Sequence, residues 1–239
     1  SGENNDSPFF TCEIGVGTTA FYHRRAVVPE EMAGENINLR LGCGANMMGY
    51  YMYTGGTNPV GKSSTYQSSG PRVSYDYQAP IREFGTLGTV MQETKKYNYF
   101  MNDFGTALAP AVAYLPTSNQ DRNNLQWAVR LNESAGYLFC SNYLYKHTRK
   151  DYKNVQFTVK LKNETLRIPR KKVTVKGGTY FLWPFNQSLS GVLLKYSTTQ
   201  PICSLAEGNN NTYFFFEDDL IPGEYFIDNK DIQDLKVKN

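Results

Sequence analysis

Two hydrophobic rhythms divide this chain of 239 residues. Up to residue 116 an apolar strand, a helical stripe and a second apolar strand follow one another, with a second helical stripe after a loop. Beyond it come short runs in which apolar and polar residues alternate. The first rhythm is that of strands and helices laid down in turn, as in an α/β barrel. The second is that of antiparallel strands with one buried face, as in a β-sandwich. The chain therefore reads as residues 1–116 in an α/β region and 117–239 in an all-β domain.

Pro8 to Thr11 is a short apolar run that ends at Cys12-Glu-Ile-Gly15, a buried strand with Glu13 at its C-terminal end. Pro29 suits the first position of a helix, and Glu30 and Glu31 suit the positive end of its dipole. Ala33, Ile37 and Leu41 recur at helical spacing, and Gly42 and Gly44 stop the pattern. Ala45 to Tyr53 is apolar and aromatic, the length of a barrel strand, and Gly55-Gly56 ends it. The Ser- and Gly-rich Gly61 to Pro71 stretch is a loop. Leu87, Met91, Thr94, Met101, Phe104 and Leu108 then form one helical stripe, with Gly105 a point where it can break.

Pro116 to Asn124 is a polar linker. After it, Leu125–Leu131, Gly136–Tyr143, Val155–Leu161, Thr165–Ile168, Val173–Val175, Thr179–Trp183, Val192–Tyr196 and Tyr213–Phe216 read as strands. Turns such as Lys176-Gly-Gly178 and Glu207-Gly-Asn-Asn210 separate them. The tail, Asp228 to Asn239, alternates charge with aliphatic residues and reads as a last edge strand.

A net charge of +3 gives no reason to expect nucleic acid as a partner. Lys146 to Lys176 is lopsided, with eleven Lys and Arg against only Asp151 and Glu164. It reads as the solvated face of β-strands, with an anion-binding patch as the alternative; no aromatic platform for bases is interleaved with it. No apolar run approaches the ~20 residues that span a bilayer. The first eight residues are polar and carry no initiator Met, so they are not a signal peptide. Four scattered cysteines, no Cys-x-x-Cys and two histidines make a metal site unexpected. Each cysteine has apolar neighbours, and buried thiols are expected.

Two pieces carry a more specific signal: Gly49-Tyr-Tyr-Met-Tyr-Thr-Gly-Gly-Thr-Asn58 and Ser74-Tyr-Asp-Tyr-Gln-Ala-Pro80. With Phe9-Phe-Thr-Cys-Glu-Ile-Gly15 upstream, their order resembles the end of the catalytic barrel of glycoside hydrolase family 35, the β-galactosidases. The resemblance implies the C-terminal portion of a (β/α)8 TIM barrel followed by an antiparallel β-sandwich. It implies a retaining enzyme that releases terminal β-linked galactose from an oligosaccharide or glycan, without metal or organic cofactor. It also implies a periplasmic or secreted protein. Retaining glycosidases use two carboxyl groups ~5–5.5 Å apart.

On the residues alone Glu13 is an ordinary carboxylate at the end of an apolar run; the resemblance makes it the nucleophile. Tyr51, Tyr75 and Tyr77 could be core aromatics, but a phenol also offers a plate for a sugar face and a hydroxyl. The resemblance places Tyr51 at the mouth of the last strand and Tyr75 beside the galactose pocket, and it groups Tyr77 and Asn58 with substrate binding. Gly55 and Gly56 are expected to serve a backbone with positive φ. Asp76, between two tyrosines on an extended segment, reads as a structural hydrogen-bonder, and His23-Arg24-Arg25 as exposed.

The family's acid/base is a Glu in an Asn-Glu pair on an earlier strand. Asn132-Glu133 and Asn163-Glu164 fall in the β-rich half within turn-like contexts, so neither fits. The remainder of the barrel, with the acid/base, is expected from upstream sequence, and this chain alone is expected to be inactive. Two other readings compete. One is a non-catalytic carbohydrate-binding module with Tyr180 and Trp183 as stacking plates, although Phe181-Leu-Trp-Pro-Phe185 also reads as sandwich core. The other is an enzyme of the same clan with another sugar preference.

Overall fold

A computed structural model describes residues 7–62 and 73–228, with residues 230 and 232. The chain divides into two compact units, one of residues 7–40 and 45–98, the other of residues 41–44 and the chain from 99 onward.

The first unit is built on a strand-helix-strand motif. Strand β1 (Phe9–Gly15), helix α1 (Glu31–Gly42) and strand β2 (Ala45–Tyr51) follow in order, and β1 pairs parallel with β2. A parallel pair needs a crossover, and α1 supplies it. The expected stripe on α1 holds: Ala33, Ile37 and Leu41 are all buried. Val16, Ala33 and Val90 form a small core with Tyr50 against it. A two-residue ladder joins β3 (Gly56–Thr57) to β4 (Ser74–Tyr75). Most of the Gly61–Pro71 stretch read as a loop lies outside the described residues.

Helix α2 (Val90–Leu108) runs unbroken through Gly105. Its buried residues are Val90, Thr94, Tyr97, Phe100 and Leu108. Leu87 is outside the helix and 67% exposed, correcting the expected stripe. The reason is local: Leu87 forms a bridge with Ile81, and the chain turns at Gly88, where a β-carbon would press on the Ala79 carbonyl.

The second unit is β-rich. A six-stranded antiparallel sheet is assembled from β5 (Val112–Tyr114), β6 (Gln126–Asn132), β7 (Ala135–Ser141), β10 (Tyr180–Leu189), β11 (Val192–Ser197) and β14 (Tyr225–Ile227). Strands β8 (Tyr152–Lys160) and β9 (Thr165–Val175) form a separate hairpin, and so do β12 (Gln200–Glu207) and β13 (Asn210–Phe216). Alternate residues of the β8–β9 hairpin (Phe157, Val159, Leu166 and Ile168) pack against Leu138, Cys140, Phe181, Trp183 and Phe185 of the sheet. The opposite face of the sheet meets the second half of α2, where Phe100 lies edge-on to Tyr137 at 5.2 Å.

Several expectations change here. The two short runs Thr165–Ile168 and Val173–Val175 are one strand, β9. Residues 117–124 are not a loose linker: Thr117–Gln120 is a 3-10 turn, and side chains pin the rest. Asn119 Nδ2 donates to Trp127 O at 2.7 Å, and Arg149 donates to the carbonyls of Arg122 and Asn124 at 2.6 and 2.9 Å. Polar side chains thus satisfy backbone groups that regular structure would otherwise pair. Only Cys140 of the four cysteines is buried; Cys12 and Cys43 are exposed and Cys203 is intermediate. Most of the tail from Asp228 lies outside the described residues. Among the described residues no helix is long and apolar enough to cross a membrane.

Candidate functional site

The parallel motif of the first unit places the sequence-derived residues. Glu13 lies two residues before the C-terminal end of β1, and its neighbour Ile14 turns into the core. Period-2 alternation therefore leaves the Glu13 side chain on the open side, where the residue is exposed. Tyr51 closes β2, in register with Gly15, and is 39% exposed. The carboxylate and the phenol thus rise from the same ends of two parallel strands.

Tyr77 completes this group. Its ring meets that of Tyr51 edge-on, with centroids 5.7 Å apart. The hydrogen bond to Tyr77 pushes the Tyr51 phenol above its ordinary pKa, and the Glu13 charge adds to the effect. A phenol that keeps its proton in this setting is a standing hydrogen-bond donor. Chemically, the arrangement offers a solvent-accessible carboxylate that can attack an electrophilic carbon, with a phenol at hand to donate to a bound oxygen.

The structure brings Glu13, Tyr51 and Tyr77 together. It holds Tyr75 and Asn58 on the β3–β4 ladder, where Asn58 N donates to Val73 O at 2.7 Å. The Tyr75 ring lies flush on Gly56, because a β-carbon there would overlap the ring. A β-carbon at Gly55 would stand 2.7 Å from Asp76 O. Neither glycine has a positive φ. They serve close approach of backbone and ring, which corrects the expectation of left-handed geometry.

Asp76 is a structural anchor, as its sequence setting suggested. Its carboxylate pairs with Arg82, accepts from Arg82 Nε at 2.9 and 2.7 Å, and accepts from Glu83 N at 2.9 Å. The Arg82 guanidinium holds the Asp76 carboxyl below its usual range, against burial, with the Glu83 and Gln78 amides assisting.

Two supporting residues escaped the sequence reading. Gln78 stands at the variable place of the Ser-Tyr-Asp-Tyr-x-Ala-Pro motif. Its Nε2 donates to Thr18 O and Ala26 O at 3.1 and 2.8 Å, and its Oε1 accepts from Val28 N at 3.3 Å. It therefore clasps the loop that follows the Glu13 strand. Gly17 seats that loop, since a β-carbon there would strike the Tyr77 carbonyl. Glu83 accepts from the Thr57 and Ser74 hydroxyls, which face each other across the β3–β4 ladder. No periodicity or motif distinguishes Glu83; only the ladder makes its role visible.

The remaining candidates separate cleanly. His23, Arg24 and Arg25 are exposed. Glu133 lies in the β6–β7 turn with a φ of 54°. Glu164 accepts from Asn186 Nδ2 at 2.7 Å and pairs with Lys195 at 3.0 Å. Burial opposes its ionisation, but Lys195 and Asn186 together hold its pKa below the ordinary value. Trp183 is not a sugar plate: it is 1% exposed and stacks on Phe181 at 3.8 Å inside the core.

A carboxylate and phenols at the C-terminal ends of parallel strands suit the glycoside hydrolases, and comparison with known families gives that class. The family whose model matches is glycosyl hydrolases family 35, over residues 2–101. No curated protein matches the chain.

Proposed function

We propose that this chain carries the end of the (β/α)8 barrel of a retaining β-galactosidase, followed by a β-sandwich domain. In this reading Glu13 is the nucleophile, β1 and β2 are the last two barrel strands, and the acid/base comes from residues outside 1–239. Active sites of such barrels lie at the C-terminal ends of the strands. The observation that carries the reading is Glu13 and Tyr51 sharing that end of a parallel pair, within the segment that matches the family.

The nucleophile attacks the anomeric carbon and forms a glycosyl ester, which water then hydrolyses. Tyr51, aligned by Tyr77, donates a hydrogen bond at the reacting centre. Tyr75 lies against the sugar, with Asn58 fixing the loop that carries the pocket wall. The substrate is a glycan ending in β-linked galactose.

The test is covalent trapping. A longer enzyme that contains this chain is incubated with a 2-fluoro-galactoside bearing a good leaving group, and the labelled peptide is mapped by mass spectrometry. A label on Glu13 is the expected result. A label on any other carboxylate removes the assignment, and rapid turnover of a 2-fluoro-glucoside in preference to the galactoside replaces the sugar.

A further inference from the structure

Charge is distributed unevenly in this protein. Of its 25 Lys and Arg and 22 Asp and Glu, eleven and two fall in residues 146–176, which makes that segment net +9 in a chain of net +3. The remainder is therefore net acidic. The basic segment is the β8–β9 hairpin with its flanks.

The hairpin sorts its residues by face. Phe157, Val159, Leu166, Ile168 and Val175 are buried in the core. Alternation sends the intervening residues outward. Lys153, Lys160, Lys162, Arg167, Lys171 and Lys172 are all exposed. Cross-strand register brings Arg167 opposite Thr158, and Lys160 opposite Thr165. None of these six cations makes an ion pair among the described residues.

The two acids of the segment are already engaged. Glu164 is held by Lys195 and Asn186, and Asp151 accepts from Gly177 N at 3.0 Å. Like charges gathered on one small face repel one another, and an external anion relieves that repulsion.

We propose that the outer face of the β8–β9 hairpin binds an anionic polysaccharide, one bearing sulfate or carboxylate groups. The positive face suits a polyanion. The outward residues of the two strands include no aromatic ring, so a single-stranded nucleic acid would find no platform on which to stack its bases. That the polyanion is a glycan rests on the glycosidase reading of residues 2–101. A charged polymer held here would keep the protein on a substrate whose galactose ends it trims.

The experiment measures equilibrium binding of the 239-residue protein to a sulfated galactan, to a polyuronate and to neutral agarose, at rising salt. Binding to one or both anionic polymers, absent for agarose and weakening as salt rises, is expected. Replacing Lys160, Arg167, Lys171 and Lys172 together by Gln should weaken it at least tenfold. These side chains are exposed, and an unchanged thermal melt checks the fold. A control removing Arg40 and Lys62, both exposed cations elsewhere, should bind as the parent does.

Equal weakening in the control, or no salt-dependent binding at all, overturns the inference. Tighter binding to duplex DNA or to anionic lipid vesicles than to either polysaccharide overturns the choice of partner. The assay involves no turnover. Failure here therefore leaves the hydrolase reading standing, and failure of the covalent trap leaves this binding result standing.

Discussion

Arg130 Nη1 donates to the main-chain carbonyl of Leu41 at 2.9 Å, joining a buried side chain of β6 to the last turn of α1. The same guanidinium reaches Leu108 O at 2.8 Å and Ala111 O at 2.7 Å, at and just beyond the end of α2. Carbonyls at helix C-termini lack intrahelical partners and carry the negative end of the dipole. One cation thus closes two helices. Burial lowers its pKa to about 10, so it remains charged at neutral pH.

Replacing Arg130 by Ala should destabilise the β-rich unit by roughly 3 kcal/mol or more, since a cavity opens and the Leu41, Leu108 and Ala111 carbonyls lose a shared charged donor, although Leu41 O and Leu108 O keep the amides of Gly44 and Ala111. Lys should rescue only part of the loss, because an ammonium lacks the planar fork. Both tryptophans, Trp127 and Trp183, lie in this unit, so urea unfolding followed by their fluorescence reads it directly. A loss below about 1 kcal/mol for Ala would deny the guanidinium its bridging role.

Arg130 also shows where the sequence was opaque. Its neighbours Val129 and Leu131 marked the strand, but nothing marked the residue between them as buried. Strand and helix types were legible because Ala33, Ile37 and Leu41, or Phe157 and Val159, obey a local period. Long-range partners obey none. The joining of Thr165–Ile168 with Val173–Val175 into one strand depends on pairing with β8, which no local run reveals. In the candidate site, motif order singled out Glu13, Tyr51, Tyr75 and Tyr77, of which the fold gathers Glu13, Tyr51 and Tyr77. Gln78 and Glu83 were not singled out, because their roles exist only once the loop after β1 and the β3–β4 ladder are folded against them.

Asp76 should make its own neighbourhood pH-sensitive. Its folded pKa lies below the ordinary 3.8, chiefly through Arg82, so its stabilisation is fully present above that value. It is lost as pH falls through 3.8 and on toward the depressed folded pKa. Asp76→Asn should cost about 1–2 kcal/mol at neutral pH, discounted for the partial exposure of the pair. Hydrogen exchange at the Gln78 and Glu83 amides measures it. The difference between the parent protein and the Asp76→Asn variant should shrink at about pH 3, below the ordinary carboxylate pKa. An equal difference there and at neutral pH would contradict the ion-pair account.

Tyr51 offers a test of the site that needs no turnover. With tyrosine ring carbons labelled for NMR and Tyr51→Phe used for assignment, Tyr51 should titrate above the ordinary tyrosine value of 10.0. Tyr77→Phe should lower its pKa most, because the hydrogen bond to Tyr77 is the largest cause of the shift. Glu13→Gln should lower it less, through loss of a negative charge. A Tyr51 titration indifferent to both changes would mean that the three residues do not share a site in solution.

The kinetic consequences for Glu13 and Tyr75 should differ in kind. In a longer enzyme that contains this chain, the nucleophile role proposed for Glu13 predicts that Glu13→Gln collapses kcat while substrate binding changes little. Tyr75→Phe deletes a hydroxyl and keeps the ring that rests on Gly56, so the ladder should stay intact. Its loss should be that of one hydrogen bond to a charged or strongly polar group, roughly 1.5–3 kcal/mol, or about 10- to 150-fold in kcat/KM. Adding azide should restore turnover to a Glu13→Gly variant with a reactive galactoside and give an α-linked galactosyl azide, because an external anion then attacks the face the carboxylate vacated. Rescue giving the β-linked azide, or a Glu13→Gln enzyme retaining within tenfold of full kcat, would place the nucleophile elsewhere.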